Sequence, residues 1–177
     1  MRKAFLVLFA LFVGVGLALA QNNTSTQTQT GDGNYMDVIQ KGKDNISTQK
    51  QDGTYNTHEV YQEGVGNEAE QDIGVGWADY NEGYITQYGQ GNYAYQKQRY
   101  DNNFADAYQE GTGNFISQKQ ISPPNLAPGS DAFAWQVGDY NTIYQEQRNG
   151  YNNYAEAEQL GDHNYNYQFQ KGDESLA

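Results

Sequence analysis

Cysteine is absent from the chain, so no disulfide can brace the fold and no thiolate is available as a nucleophile or metal ligand. Histidine is nearly absent, and His58 and His163 are too far apart in sequence to form a metal-binding pair. Basic residues are scarce, 10 against 22 acidic ones, and the net charge of -12 argues against direct contact with nucleic acid. No Gly-x-Ser-x-Gly, EF-hand or nonapeptide calcium pattern occurs. The abundant carboxylates single out no acid–base pair. An enzyme is therefore not expected, nor is a cofactor or a specific metal site.

Long apolar runs are missing beyond the first twenty residues. That opening stretch, "MRKAFLVLFALFVGVGLALA", has Arg2 and Lys3, an apolar segment interrupted by Gly14 and Gly16, and a small-residue exit at Ala20. The pattern predicts a secretory signal over residues 1–20 rather than a membrane span. Without Arg2 and Lys3, 8 basic residues face 22 acidic ones, a charge of -14. Large aliphatic residues are too few for an ordinary globular core, so order must arise another way or not at all.

What the chain has instead is a repeat. Segments of seven begin at Asn23, Asn34, Asn45, Asn56, Asn67, Asn81, Asn92, Asn103, Asn114, Ser130, Asn141, Asn153 and Asn164. Six residues after the start stands Gln in twelve of the thirteen: Gln29, Gln40, Gln51, Gln62, Gln87, Gln98, Gln109, Gln120, Gln136, Gln147, Gln159 and Gln170, with Ile73 the exception. Four residues after the start, alternate segments carry Gln27, Gln49, Gln71, Gln96, Gln118, Gln145 and Gln168. The segments between them carry Val38, Val60, Ile85, Ala107, Ala134 and Ala157. The unit is thus two segments, about 22 residues, and it holds 19 of the 21 glutamines, which a merely Gln-rich disordered tract would scatter.

Between segments the chain usually reads Gln-x-Gly-x-x-Asn. Gly42, Gly53, Gly64, Gly89, Gly111, Gly138 and Gly161 mark tight turns, with Gly31 in the corresponding place before them. One of the two links in each unit keeps a fixed spacing; the other admits insertions, as in "IGVGWADY" before Asn81 and "ISPPNLAPG" before Ser130.

A strand–turn–strand–turn unit without helices predicts an all-β, two-sheet β-solenoid of about six rungs, two strands each. The rungs start near 34, 56, 81, 103, 130 and 153 within a repeat domain over residues 34–171. Residues 21–33 are expected to be a flexible leader, and 172–177 a tail too short to cover a strand edge. Stacking places Asn on Asn and Gln on Gln, so that amides, each donor and acceptor at once, bond up the column and become tolerable inside. Alanines such as Ala94, Ala105, Ala132 and Ala155 fill the spaces, and His58 occupies an inward gap. The outward positions carry Tyr61, Tyr93, Phe104, Phe115, Trp135 and Tyr165, which either stabilise the sheets or form an adhesive surface.

The stretch "SDAFAWQVGDYNTIYQEQ", Ser130 to Gln147, resembles the repeat of the curlins, bacterial subunits of extracellular curli amyloid fibres. The resemblance covers nearly all the chain after residue 20. It departs from the pattern at Tyr100 in place of a turn glycine, at Ile73 and at His58. It implies a secreted subunit that self-assembles into cell-surface biofilm fibres, acting in adhesion, with a nucleator subunit and an outer-membrane secretion channel as partners and no insertion into a membrane. Within that class a nucleator or minor subunit is the alternative. Outside it, a monomeric ice- or glycan-binding solenoid would use rows of Thr such as Thr24, Thr26 and Thr28. Repulsion between like charges predicts assembly that quickens with salt or mild acid.

Overall fold

The computed structural model describes residues 21–74, 78–123 and 128–177. Residues 1–20, where a secretory signal is expected, and parts of both insertions lie outside these residues. Among the described residues all thirteen regular elements are strands. Odd-numbered strands β1 (Thr24–Thr30), β3 (Ile46–Asp52), β5 (Glu68–Ile73), β7 (Tyr93–Arg99), β9 (Phe115–Ile121), β11 (Thr142–Arg148) and β13 (Tyr165–Lys171) form one parallel sheet, in that order. The second sheet holds β2 (Tyr35–Lys43), β4 (Thr57–Val65), β6 (Glu82–Gln90), β8 (Phe104–Thr112), β10 (Asp131–Val137) and β12 (Tyr154–Leu160), also in chain order. The chain climbs by one rung every two strands, giving a β-solenoid of about six turns.

Register follows the repeat. Gln27 lies beside Gln49, Val38 beside Val60 and Ala107 beside Ala134, so amide stacks on amide and aliphatic on aliphatic in these columns. Between the end strands inward residues are buried in alternation, as in the pattern of β9, where Ile116, Gln118 and Gln120 are buried and Phe115, Ser117 and Lys119 are not. A parallel sheet usually has both faces covered. Here each sheet covers only one face of the other, and the outer faces remain open to solvent.

The apolar part of the core is a single thin cluster of Val60, Ala69, Ile85, Ala94, Ala107, Ile116, Ala134, Ile143 and Ala157. Its volumes are exchanged between sheets along the stack. Where the second sheet supplies Val60 and Ile85, the first supplies Ala69 and Ala94; higher up, Ala107 and Ala134 meet Ile116 and Ile143. Total volume per rung stays nearly constant, which keeps two sheets of fixed spacing in contact.

Turn chemistry explains the tightness of the reversals. The seven turn glycines Gly42, Gly53, Gly64, Gly89, Gly111, Gly138 and Gly161 all have positive φ. At Gly64 a Cβ would lie 1.9 Å from the carbonyl oxygen of Gly89 in the next rung, so the turns stack backbone on backbone. The residue just before most segment starts is left-handed as well, and it is Tyr at Tyr55, Tyr80 and Tyr140. Such conformations are costly for bulky residues. Tyr55 and Tyr80 recover part of that cost by stacking, with ring centroids 5.3 Å apart and planes 12° apart.

Both chain ends depart from expectation. Residues 21–33 do not stand outside the solenoid as a leader: Thr24–Thr30 form β1, paired in register with β3 along its whole length. The reason is the repeat itself, since Gln27 and Gln29 lie at the ladder offsets and Gln27 donates to Gln49 at 2.9 Å. The tail also reaches an edge. The backbone N–H of Tyr154 donates to Ser175 O at 2.9 Å, and that of Ala177 to Tyr154 O at 3.0 Å. Residues 175–177 thus occupy the first three positions of a further strand on β12, beginning with Ser175 where other segments have Asn or Ser.

Candidate functional site: amide ladders and open edges

The glutamines form three columns. The first runs unbroken from Gln27 through Gln49, Gln71, Gln96, Gln118 and Gln145 to Gln168, with Nε2–Oε1 distances of 2.8–3.0 Å. A second runs from Gln40 through Gln62, Gln87, Gln109 and Gln136 to Gln159 at 2.8–3.1 Å. The third joins Gln98, Gln120, Gln147 and Gln170 at 2.8–3.1 Å. It stops below Gln98 because Ile73 interrupts it. Gln51 lies below the break, and Gln29 turns away to donate to Asn34 O at 2.7 Å.

Each amide has a second N–H, and it crosses the core. Gln96 donates to Tyr84 O at 2.7 Å, Gln98 to Glu82 O at 2.8 Å and Gln62 to Ile46 O at 2.9 Å. Glutamine is therefore both ladder and cross-tie, joining the sheets through carbonyls that still have a free lone pair. This cross-tie has no signature in the repeat spacing, since it depends on how the sheets face each other.

The asparagine columns work differently from the expected amide-on-amide stack. Asn45 Oδ1 accepts the backbone N–H of Asn67 at 3.0 Å, and Asn45 Nδ2 donates to Gly64 O at 3.1 Å. The same arrangement recurs at Asn67, Asn92 and Asn114. Direct amide contacts exist, as from Asn103 to Asn81 at 3.0 Å, but the main task of Asn34, Asn56, Asn81, Asn103, Asn141, Asn153 and Asn164 is to satisfy backbone at the corner. The short side chain sits at the corner within reach of both the turn carbonyl and the column, as where Asn92 Nδ2 donates to Gly111 O at 3.0 Å and to Asn67 Oδ1 at 3.2 Å. Ser130 continues the column by donating its N–H to Asn103 Oδ1 at 3.2 Å. Ser122, buried beside it, contacts the same oxygen through its hydroxyl.

Interruptions leave visible consequences. Among the described residues two ladder oxygens are buried without a partner: Gln98 Oε1, whose donor position is held by Ile73, and Gln51 Oε1, whose donor Gln29 turns away to Asn34 O. His58 is also buried with Nδ1 unpartnered, and burial alone lowers its pKa to about 3. Room for its ring comes from Gly83 in the next rung, where a Cβ would lie 3.2 Å from the His58 Cδ2.

The outer faces carry continuous aromatic rows. On the second sheet one runs Tyr61–Tyr88–Tyr108–Trp135, ending in a stacked pair with centroids 4.1 Å apart, and another runs Tyr84–Phe104–Phe133–Tyr154; on the first sheet a third runs Tyr93–Phe115–Tyr144–Tyr165. Burial, then neighbouring Glu82 and Glu110 respectively, raise the Tyr84 and Tyr108 hydroxyls to about 12. Burial raises Asp106 and Asp131 from the ordinary carboxylate range. Among the described residues no three His, Asp or Glu side chains are grouped to hold a metal ion, and no helix is long and apolar enough to cross a membrane.

At both ends of the stack the ladders stop, and among the described residues no further strand pairs with β1 or β13 beyond them. All fourteen Gln–Gln bonds run from the Nε2 of the lower-numbered residue to the Oε1 of the higher-numbered one. The edge at β1 therefore presents acceptors, and the edge at β13 presents donors. No family model, curated protein or solved structure matches the chain.

Proposed function

We propose that this chain is a structural subunit of an extracellular, curli-like amyloid fibre that grows by head-to-tail stacking of solenoids. The observation that carries the reading is the complementarity of the two ends: a donor-presenting edge at β13 meets an acceptor-presenting edge at β1, in the same register that joins rungs within the chain. Unpaired edges of this kind template a further strand, and a head-to-tail contact that does not close produces a filament.

In the proposed contact, β1 of an incoming copy lies on β13, with its Asn23, Gln27 and Gln29 above Asn164, Gln168 and Gln170. Its Asn34 then lies above Ser175, so the three residues at 175–177 support the start of the incoming β2. Filament growth joins the column that runs from Gln27 to Gln168, each of which has a ladder partner on one side only in the isolated subunit. The resemblance of residues 1–20 to a signal segment and the acidic, cysteine-free composition agree with assembly outside the cell.

The test is growth of the chain lacking residues 1–20 from dilute solution. Filaments should form with a meridional repeat of about 4.8 Å along the axis, and sonicated filaments should shorten the lag of a fresh solution. A chain that stays monomeric for days, seeded or not, overturns the proposal.

A further inference from the structure

The upper half of the solenoid has two faces of opposite charge. The outward side of β6, β8, β10 and β12 carries Glu82, Asp106, Glu110, Asp131, Glu156 and Glu158 and no lysine or arginine. The outward side of β7, β9, β11 and β13 carries Lys97, Arg99, Lys119, Arg148 and Lys171 against Glu146 alone. Inside its own face Glu146 contacts both Lys119, at 3.4 Å, and Arg148. Arg99 and Lys171 are exposed and make no ion pair among the described residues.

The cross-core bonds fix which residues lie back to back. Gln98 reaches Glu82 O, so Arg99 and Lys97 lie behind Glu82 on the opposite face. Gln118 and Gln120 reach the carbonyls of Ala132 and Ser130, so Lys119 lies behind Asp131. Gln147 reaches Asp131 O, so Arg148 lies beside the same level, whereas Gln168 reaches Glu156 O and Gln170 reaches Tyr154 O, so Lys171 lies further along the strand than Glu156. A second copy displaced along the normal to the sheets, without rotation, therefore sets its basic residues over the acidic ones of the first. Because both copies have the same rung spacing, the matches at Glu82 and at Asp131 are met together in one displacement.

The acidic face is also shaped to receive cationic side chains. Between its two aromatic rows lies an open groove of about 520 Å³, lined by Asp106, Tyr108, Phe133, Trp135, Tyr154 and Glu156 among others. Lysine and arginine can lay their alkyl stems and charged heads against such rings while the carboxylates neutralise them.

We infer that copies of this chain associate side by side, the acidic aromatic face of β6, β8, β10 and β12 docking on the basic face of β7, β9, β11 and β13 of a parallel neighbour. The contact is heterologous and does not close, so it layers filaments into bundles. It is distinct from the end-to-end contact and does not depend on it.

The test uses two charge-reversed proteins, Arg99→Glu with Lys119→Glu, and Glu82→Lys with Asp131→Lys. Lateral association is read by filament width in negative stain and by fluorescence cross-correlation of two labelled preparations at low salt. Each reversed protein alone should lose association by about tenfold or more, as should the parent chain on raising the salt to about 0.5 M. An equal mixture of the two should regain it, since one now offers a basic patch to the other's acidic one. Bundling that persists unchanged in either reversed protein, or a mixture that fails to recover, overturns the inference. If filaments fail to form, cross-correlation of the soluble proteins measures the same lateral contact, with the same loss and recovery expected, while the end-to-end proposal fails separately.

Discussion

Gly150 and Gly172 occupy the same turn column one rung apart, yet their surroundings differ. A Cβ on Gly150 would lie 1.8 Å from the carbonyl oxygen of Gly172, whereas one on Gly172 would meet nothing within 4 Å. Gln118 and Gln27 show the same contrast in the ladder: the first is fully buried with bonded neighbours above and below, the second exposed with one. Interior and end are made of the same residues. What separates them is the next rung, which turns a solvated amide into a core residue and an open glycine into a crowded one.

Alanine at these two glycines separates the contrast most sharply. Gly150→Ala should destabilise the subunit by more than about 3 kcal/mol, since backbone must move to admit the methyl. Gly172→Ala should cost the subunit only about 1 kcal/mol, the strain of its positive φ. On filament growth the order changes, because the added Cβ points where the Gly31 carbonyl of an incoming copy would lie. Guanidinium midpoints on soluble protein, paired with seeded elongation rates, measure both. Normal elongation of Gly172→Ala would show that growth does not continue the turn column.

Copying the natural interruption into the intact column comes next. Gln118→Ile leaves Gln145 Oε1 without its donor and removes the cross-ties to Asp106 O and Ala132 O. With an orphaned buried amide costing about 1–3 kcal/mol, the loss should approach 3 kcal/mol. A midpoint close to that of the parent chain would show that the ladder contributes little beyond burial.

His58 gives a smaller, pH-dependent effect. Its folded pKa of about 3 lies below the unfolded value of 6.5, so stability is complete above pH 6.5 and falls as the unfolded chain takes up a proton the folded one refuses. The slope is about 1.4 kcal/mol per pH unit, or about 2 kcal/mol at pH 5. Acid also relieves the repulsion among carboxylates, and the burial-raised pKa values of Asp106 and Asp131 favour the fold as pH falls towards their unfolded range. These effects oppose one another, so the measurement is the difference between the parent chain and His58→Ala, whose residue matches Ala105 in the same column. That difference should shrink by about 2 kcal/mol between pH 7 and 5; a constant difference would show that the imidazole is protonated inside.

Much of this architecture is legible in the sequence because the solenoid writes its third dimension as sequence period. Strand positions, the two-sheet arrangement and the inward amides all follow from the offsets of Gln40, Gln49 and their counterparts. Contacts that connect different offsets are not legible. The exchange of Val60 and Ile85 for Ala107 and Ala134 against Ala69, Ala94, Ile116 and Ile143 preserves volume only when the two sheets are read together. The backbone bonding of Asn45 depends on corner geometry rather than spacing. At the ends, Gln27 and Ser175 already bear the signal, but a half rung shows itself as part of the stack only through the strand it pairs with.

The smallest predicted change mends the one broken column. In place of Ile73, a glutamine would receive an amide proton from Gln51 and donate to Gln98 Oε1, which is buried without a partner. The gain of two ladder bonds and the relief of an orphaned acceptor compete with lost burial of an aliphatic side chain worth about 1.5–3 kcal/mol. The balance should lie between zero and about 1 kcal/mol of added stability, because the other columns already hold glutamine at equal depth. Ile73→Gln should therefore unfold no earlier than the parent chain and should elongate at least as fast, in contrast to Gln118→Ile. A loss exceeding about 1 kcal/mol would mean that Ile73 is an apolar plug the stack requires rather than a gap it tolerates.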